Sequence, residues 1–288
     1  MAGQTDPQLL SLFQEYLVQR GMSPATIKNY LADLNCFGQW YSRRVQSEVS
    51  LLSFSATDLH TYCAEMSEEG RAASTINRRL HALRKFGQFA LESNLRAHNP
   101  AQDVTPVRRE QVSLARPLNS VEADDLLETV LVEAKSSQVQ RDYAIVLTLL
   151  SCGLRLQEMV DLRLEDVELN VDSGYLMVGS SAAEGGRVIP FGAATAAALM
   201  AYLRLRPNAP GVDHFFLSRE GRPISPRTVQ RLVARYARAA QLENVSPQTL
   251  RMTFAHAMYE GSGDMETVAK LMGHRSVQTT IRYFEPST

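Results

Sequence analysis

Apolar residues recur at helical spacing through most of the first hundred positions. Ser23-Pro24 is an N-cap followed by a first-turn proline, and Ile27, Tyr30, Leu31, Leu34, Phe37 and Tyr41 follow at helical intervals. Ser74 opens a second long pattern of Ile76, Leu80, Leu83, Phe86 and Ala90, with Arg78, Arg79 and Lys85 on its other face. Residues 8 to 98 therefore read almost entirely as helix. The period stops in HNPAQDVTPVRREQVSLARP, a proline-punctuated stretch. Beyond it, VEADDLLETVLVEA and RDYAIVLTLLSCGL read as helices, and the second ends at a glycine break. YLMVG and RVIPF alternate as short strands around a glycine-rich turn. Ser225-Pro226 and Ser246-Pro247 repeat the cap-plus-proline device. The pattern predicts a mainly α protein with a small β-hairpin or sheet (α+β). It has an all-helical domain over 1–103, a linker over 104–116 and a second domain over 117–288.

Composition narrows the class. At 288 residues with 44% hydrophobic and 21% charged content, the chain can fill two cores and has no compositional case for disorder. No stretch approaches the roughly 18 apolar residues of a membrane span, so no membrane partner is expected. The start MAGQTDPQLL lacks the basic and apolar regions of a signal peptide, which predicts a cytoplasmic protein. Cys36, Cys63 and Cys152 form no CxxC pair and read as reduced, mostly buried thiols. The six histidines show no metal-ligand spacing.

The net charge of −1 argues against a protein that coats nucleic acid, but distribution matters more than the sum. Arg71, Arg78, Arg79, Arg84, Lys85 and Arg96 face a single acid, Glu92, between positions 71 and 96. Arg219, Arg222, Arg227, Arg231, Arg235 and Arg238 face only Glu220. In SPRTVQRLVARYARAAQ the residues Val229, Leu232, Val233, Tyr236 and Ala240 make one apolar stripe, and Arg227, Arg231, Arg235 and Arg238 run down another face. No acid follows Glu220 until Glu243. A face without interspersed acids reads as one that tracks phosphates. Only four of the 30 basic residues are lysines, and arginine is the better fork for phosphate oxygens.

Four separated pieces carry the chemistry: CGLRLQEMVDLRLEDV, the hairpin ending GRVIP, SPQTLRMTFAHAMYEGSG, and LMGHRSVQTTIRYF. In this order they resemble the tyrosine recombinase (phage integrase) family, most closely its short Xer-like members. SPATIKNYLADLNCFGQW and STINRRLHALRKFGQFALESNLRAHNP resemble the family's helical core-binding domain, so the likeness spans nearly the whole chain. It implies a site-specific DNA recombinase that cleaves and rejoins strands through a covalent 3′-phosphotyrosyl intermediate. Its partner would be double-stranded DNA, and four protomers would assemble on two duplexes. The resemblance makes Tyr283, nine residues after His274, the nucleophile, and gives His274 a hydrogen bond to the scissile phosphate. Arg155 and Arg251 would be the phosphate-gripping arginines, with Gln248 beside them and Glu158 orienting Arg155. Arg78, Arg79, Lys85, Arg187, Arg227, Arg231 and Arg235 are the expected DNA contacts.

Elementary chemistry agrees. Arg155 and Glu158 are three apart on one predicted helix, as are Gln248 and Arg251 on another, where Leu250, Phe254 and Met258 fill the core and leave Arg251 at the edge. Two guanidiniums on one phosphodiester stabilise the charge of a pentacoordinate transition state. A tyrosine ester stores the bond energy, so no nucleotide is needed. The chain has no GxxxxGK[ST] loop and no carboxylate cluster calling for magnesium, so no cofactor is expected. Three features depart from the family. Gln248 stands where a histidine is usual, and glutamine cannot accept a proton. The hairpin turn GSSAAEGGR lacks the usual lysine, and Arg187, with its pKa above about 12, is a poor acid. Only five residues follow Tyr283, where relatives commonly add a helix that docks on the next protomer. Two alternatives therefore stand beside the recombinase: a catalytically impaired DNA-binding relative of the same fold, and a type IB topoisomerase-like nicking-closing enzyme.

Overall fold

The computed structural model describes residues 7–46, 50–108, 116–135, 137–179 and 186–284. The chain divides into two compact units, Met1–Val112 and Ser113–Thr288. The first holds α1 (Pro7–Gln19), α2 (Pro24–Val45), α3 (Ala56–Glu68) and α4 (Ala73–Glu92). Ser23 caps α2, accepting a hydrogen bond from the Thr26 amide at 3.2 Å. Helix α4 starts before Ser74, with Ala72 at the cap and no side-chain bond there. A cap is worth only about 1 kcal/mol, and the buried stripe of Ile76, Leu80, Leu83 and Phe86 holds the helix without it. Phe13, Phe37, Phe54 and Phe86 centre this core, with ring centroids 5.3–5.4 Å apart in the pairs Phe13–Phe86 and Phe37–Phe54.

The arginines of this unit are largely turned inward. Arg78 bonds Asp33, a carboxylate that α2 buries. Arg79, with a side chain 20% exposed, donates to the Tyr62 hydroxyl at 2.9 Å and lies 3.9 Å from Asp33. Arg84 donates to the carbonyls of Ala101 and Val104 at 3.0 and 2.6 Å, and Arg96 to that of Phe54 at 2.8 Å. Arg79, an expected DNA contact, has its guanidinium bracing α3 against α4. Asp33 explains why, because a buried carboxylate needs cations on it. Arg78 remains half-exposed at the same brace, and Lys85 stands half-buried on α4.

The second unit is built around α6 (Val139–Cys152), which packs against α5 (Ser120–Glu133), α8 (Ala193–Leu205) and α10 (Pro247–Ser262). Around them lie α7 (Leu156–Asp161), α9 (Pro226–Ala239), α11 (Met265–Met272) and α12 (Val277–Ile281). Ser225 and Ser246 cap α9 and α10 as the sequence predicts. Strands β2 (Ser173–Val178) and β3 (Arg187–Gly192) pair antiparallel, with Leu176 opposite Ile189. A third strand, β1 (Val167–Leu169), adds to β2 from the acidic stretch RLEDVEL, which carries no strand signal. Alternation turns Leu176, Val178, Ile189 and Phe191 to the core, and it turns Arg187 to that same face. The hairpin turn expected to lack its lysine, residues 180–185, lies outside the described residues. Among the described residues no helix is long and apolar enough to cross a membrane, and no group of three histidines, cysteines or acids is placed to hold a metal ion.

Candidate active site

Four chain segments meet where α6 ends. Gly153 terminates α6 in the left-handed conformation, at φ +57°, and a Cβ there would meet the Phe254 ring at 2.2 Å. That reversal turns the Gly153 carbonyl onto Arg251, which also donates to the Met272 carbonyl at the end of α11. The sequence placed Arg251 at the edge of α10. The structure corrects this: its side chain is 2% exposed, because two helix-end carbonyls accept its hydrogen bonds inside the protein. Burial lowers its pKa, the nearby Tyr283 hydroxyl opposes that, and the Arg155 charge adds to the lowering.

Arg155 is also differently placed. It is the residue before α7, in extended conformation, and Glu158 reaches back to its amide at 2.6 Å as in a capping box. Its guanidinium, 44% exposed, donates to Glu158 at 2.8 Å and to the Gly273 carbonyl at 2.7 Å. Arg187 donates from both terminal nitrogens to Glu158, at 2.9 and 2.7 Å, and from Nε to the Leu271 carbonyl at 2.7 Å. With its side chain 12% exposed and three of its N–H donors engaged, Arg187, an expected DNA contact, braces Glu158 and the end of α11 from inside. Glu158 therefore serves three arginines, with Arg251 3.8 Å away. Burial pushes its pKa up, but the bonds from Arg187 and from the Arg155 amide and side chain outweigh this and hold it at about 2.

Gly273 closes the pocket from the other side. Its φ is +63°, and a Cβ would stand 2.5 Å from Arg187 Nη1. This turn aims His274 at Arg251, with Nε2 3.2 Å from Arg251 Nη2 and Nδ1 2.8 Å from the Thr280 hydroxyl. Burial first, then the charges of Arg251, Arg155 and Arg187, push the His274 pKa down to about 4 against the pull of Glu158, so the ring is neutral at pH 7. Tyr283 follows α12 and packs on a small cluster of Phe254, Val268 and Met272. Its hydroxyl accepts from Gln248 Nε2 at 2.7 Å, and its ring lies 5.3 Å from that of His274. His256 Nε2 bonds the Tyr283 carbonyl at 2.8 Å, and its ring stacks on Phe284 at 4.2 Å. Sequence reasoning missed His256 and Thr280, since a single histidine or threonine on a helix carries no pattern of its own.

The arginine face of α9 forms as expected, with Arg227, Arg231, Arg235 and Arg238 all exposed. Arg231 and Arg235, together with Lys135, Arg141 and Arg219, line an open concavity of about 470 Å³. Arg235 lies over the Tyr236 ring at 4.3 Å and donates to buried Asp142 at 3.3 Å, which leaves half its side chain exposed.

A tyrosine packed beside a neutral histidine that a buried arginine engages, with a second arginine nearby, is an arrangement suited to phosphoryl transfer by a protein nucleophile. The phage integrase family model matches residues 118–288, and the model of the phage integrase N-terminal SAM-like domain matches residues 10–94. The tyrosine recombinase XerC of Pelobacter propionicus is 33% identical over 267 residues, 92% of this chain and 86% of that protein. The tyrosine recombinase XerC of Staphylococcus carnosus is 32% identical over 269 residues, 92% of this chain and 88% of the relative. The fold is similar to that of XerH site-specific recombinase bound to palindromic difH substrate in a post-cleavage complex, with TM-score 0.73 at 20% identity over 92% of this chain and 77% of that one. It is also similar to a lambda integrase dimer bound to a COC' core site, with TM-score 0.70 at 18% identity over 96% and 97% of the two chains. The chain belongs to the phage integrase family. It is a tyrosine-type site-specific recombinase with a helical N-terminal domain and a mixed catalytic domain.

Proposed function

We propose that this chain cuts and rejoins double-stranded DNA through attack of Tyr283 on a phosphodiester gripped by Arg155 and Arg251. The Tyr283 oxygen bonds phosphorus, the bond from phosphorus to the 5′-oxygen breaks, and the strand is left as a 3′-phosphotyrosyl ester with a free 5′-hydroxyl. Attack by a 5′-hydroxyl from a second duplex reverses these steps and completes strand exchange, with four protomers on two duplexes. Acting on DNA, the enzyme works in the cytoplasm. The exposed arginines of α9 track the backbone, while Glu158 and Arg187 hold the two catalytic arginines in place. Gln248 donates to Tyr283 and positions it, and His274 donates to a non-bridging oxygen in the transition state.

The observation that carries this reading is the Tyr283 hydroxyl itself, 2.7 Å from Gln248 Nε2, with its ring 5.3 Å from that of His274, which Arg251 engages. A pure DNA-binding relative would have no use for a tyrosine so placed. The test uses a nicked duplex enriched from a randomised pool by binding to the full chain. Tyr283→Phe abolishes the covalent adduct and leaves DNA affinity within about twofold, since one hydroxyl is lost among many phosphate contacts. An adduct of undiminished yield would remove Tyr283 from the role.

A further inference from the structure

Thr280 is a buried polar residue on α12, three positions before Tyr283, and its hydroxyl lies 2.8 Å from His274 Nδ1. The hydrogen-bond roles in this chain of contacts follow from Arg251. A guanidinium only donates, so the 3.2 Å contact from Arg251 Nη2 makes His274 Nε2 an acceptor. A neutral imidazole with a lone pair on Nε2 carries its proton on Nδ1, and Thr280 Oγ1 is then the acceptor. In the DNA-free enzyme His274 thus presents a lone pair toward the site. A phosphodiester oxygen also presents only lone pairs. The ring as it stands repels the group it is to hold.

A threonine hydroxyl resolves the conflict because it either donates or accepts. We propose that Thr280 is a positioning residue that lets His274 exchange tautomers when a phosphate arrives. Arg251 Nη2 turns from Nε2 to the phosphate, Nε2 becomes the protonated nitrogen and donates to a phosphate oxygen, and Thr280 rotates to donate its hydroxyl to the bared Nδ1. One proton leaves Nδ1 for water and one arrives at Nε2 from water, so the ring stays neutral. No side chain of the site has to become charged. The surroundings favour a neutral exchange over proton uptake, because Arg155, Arg187 and Arg251 all face the ring and only Glu158 offsets them. This inference rests on the reading of Arg251 and His274 as phosphate ligands.

The test is nitrogen NMR of the full chain carrying labelled histidine, with sodium sulfate as an acceptor-only tetrahedral probe. Without sulfate, His274 shows a protonated Nδ1 and an unprotonated Nε2. At saturating sulfate the pattern inverts. An unchanged pattern, or protonation of both nitrogens, overturns the exchange. Kinetics on the selected nicked duplex give the second readout. Thr280→Val, nearly isosteric, slows single-turnover cleavage at least about tenfold, the rate cost of one hydrogen bond lost in the transition state, with DNA affinity unchanged. Thr280→Ser restores the rate to within about threefold. If Thr280→Val cleaves at the wild-type rate while His274→Ala is slow, the threonine has no such role and the phosphate site stands. If His274→Ala also cleaves normally, the reading of the site itself fails.

Discussion

Replacing Glu158 by glutamine tests whether one carboxylate holds the arginine cluster together. The side chain accepts from the Arg155 amide and side chain and twice from Arg187, with Arg251 at 3.8 Å. Its pKa, brought from 4.5 to about 2, corresponds to roughly 3 kcal/mol of stabilisation. Glutamine keeps the shape and one acceptor but turns an amide NH₂ toward guanidiniums and leaves their mutual repulsion uncompensated. For a unit of this size a loss of roughly 3 kcal/mol lowers the midpoint by about 6–12 °C. The pH profile carries a second signature. A carboxylate with a depressed folded-state pKa stabilises fully above about 4.5 and loses that contribution as pH falls toward about 2. The wild type therefore destabilises across that window, and Glu158→Gln lacks this part of the loss. Calorimetric melts of both proteins between pH 7 and pH 3 measure both effects. A midpoint within about 2 °C of wild type at pH 7, or acid limbs that run parallel, would refute the reasoning.

The remaining expectations concern charge and protons. His274 has a folded-state pKa near 4, below the ordinary 6.5, so the unfolded chain binds the proton first and stability falls as pH drops from about 6.5 to 4. His274→Asn flattens that limb in urea titrations, and a limb of unchanged slope refutes the assignment. Arg231→Ala with Arg235→Ala lowers the slope of log affinity against log salt by about two, one for each phosphate contact, and an unchanged slope means this face does not meet DNA. Without a hairpin lysine the 5′-oxygen leaves without a strong acid, a deficit of about 10²–10⁴-fold. A duplex with sulfur at the bridging 5′ position, a leaving group that needs no acid, then cleaves far faster than normal DNA, whereas equal rates show the proton is supplied from elsewhere.

Much of the protein is legible from local pattern alone. Cap-plus-proline pairs at Ser23, Ser225 and Ser246 mark helix starts because a side-chain oxygen and a fixed φ act within one turn of chain. Period-2 alternation shows β2 and β3, but the inward place of Arg187 beside Ile189 and Phe191 emerges only in the folded hairpin. The order of the arginine, histidine and tyrosine motifs marks the candidate site. What the chain could not disclose by itself is which charges remain for a ligand. The two basic clusters look alike when counted, yet Asp33, Tyr62 and the backbone carbonyls of Phe54, Ala101 and Val104 engage Arg78, Arg79, Arg84 and Arg96, while most of the α9 face stays in solvent. Arg251 and Arg155 likewise differ through contacts made across about a hundred residues, from Gly153 to Arg251 and from Arg155 to Gly273. A guanidinium's partner is chosen by which carbonyls and carboxylates the packed helices bring within 3 Å. That proximity exists only once the core has formed.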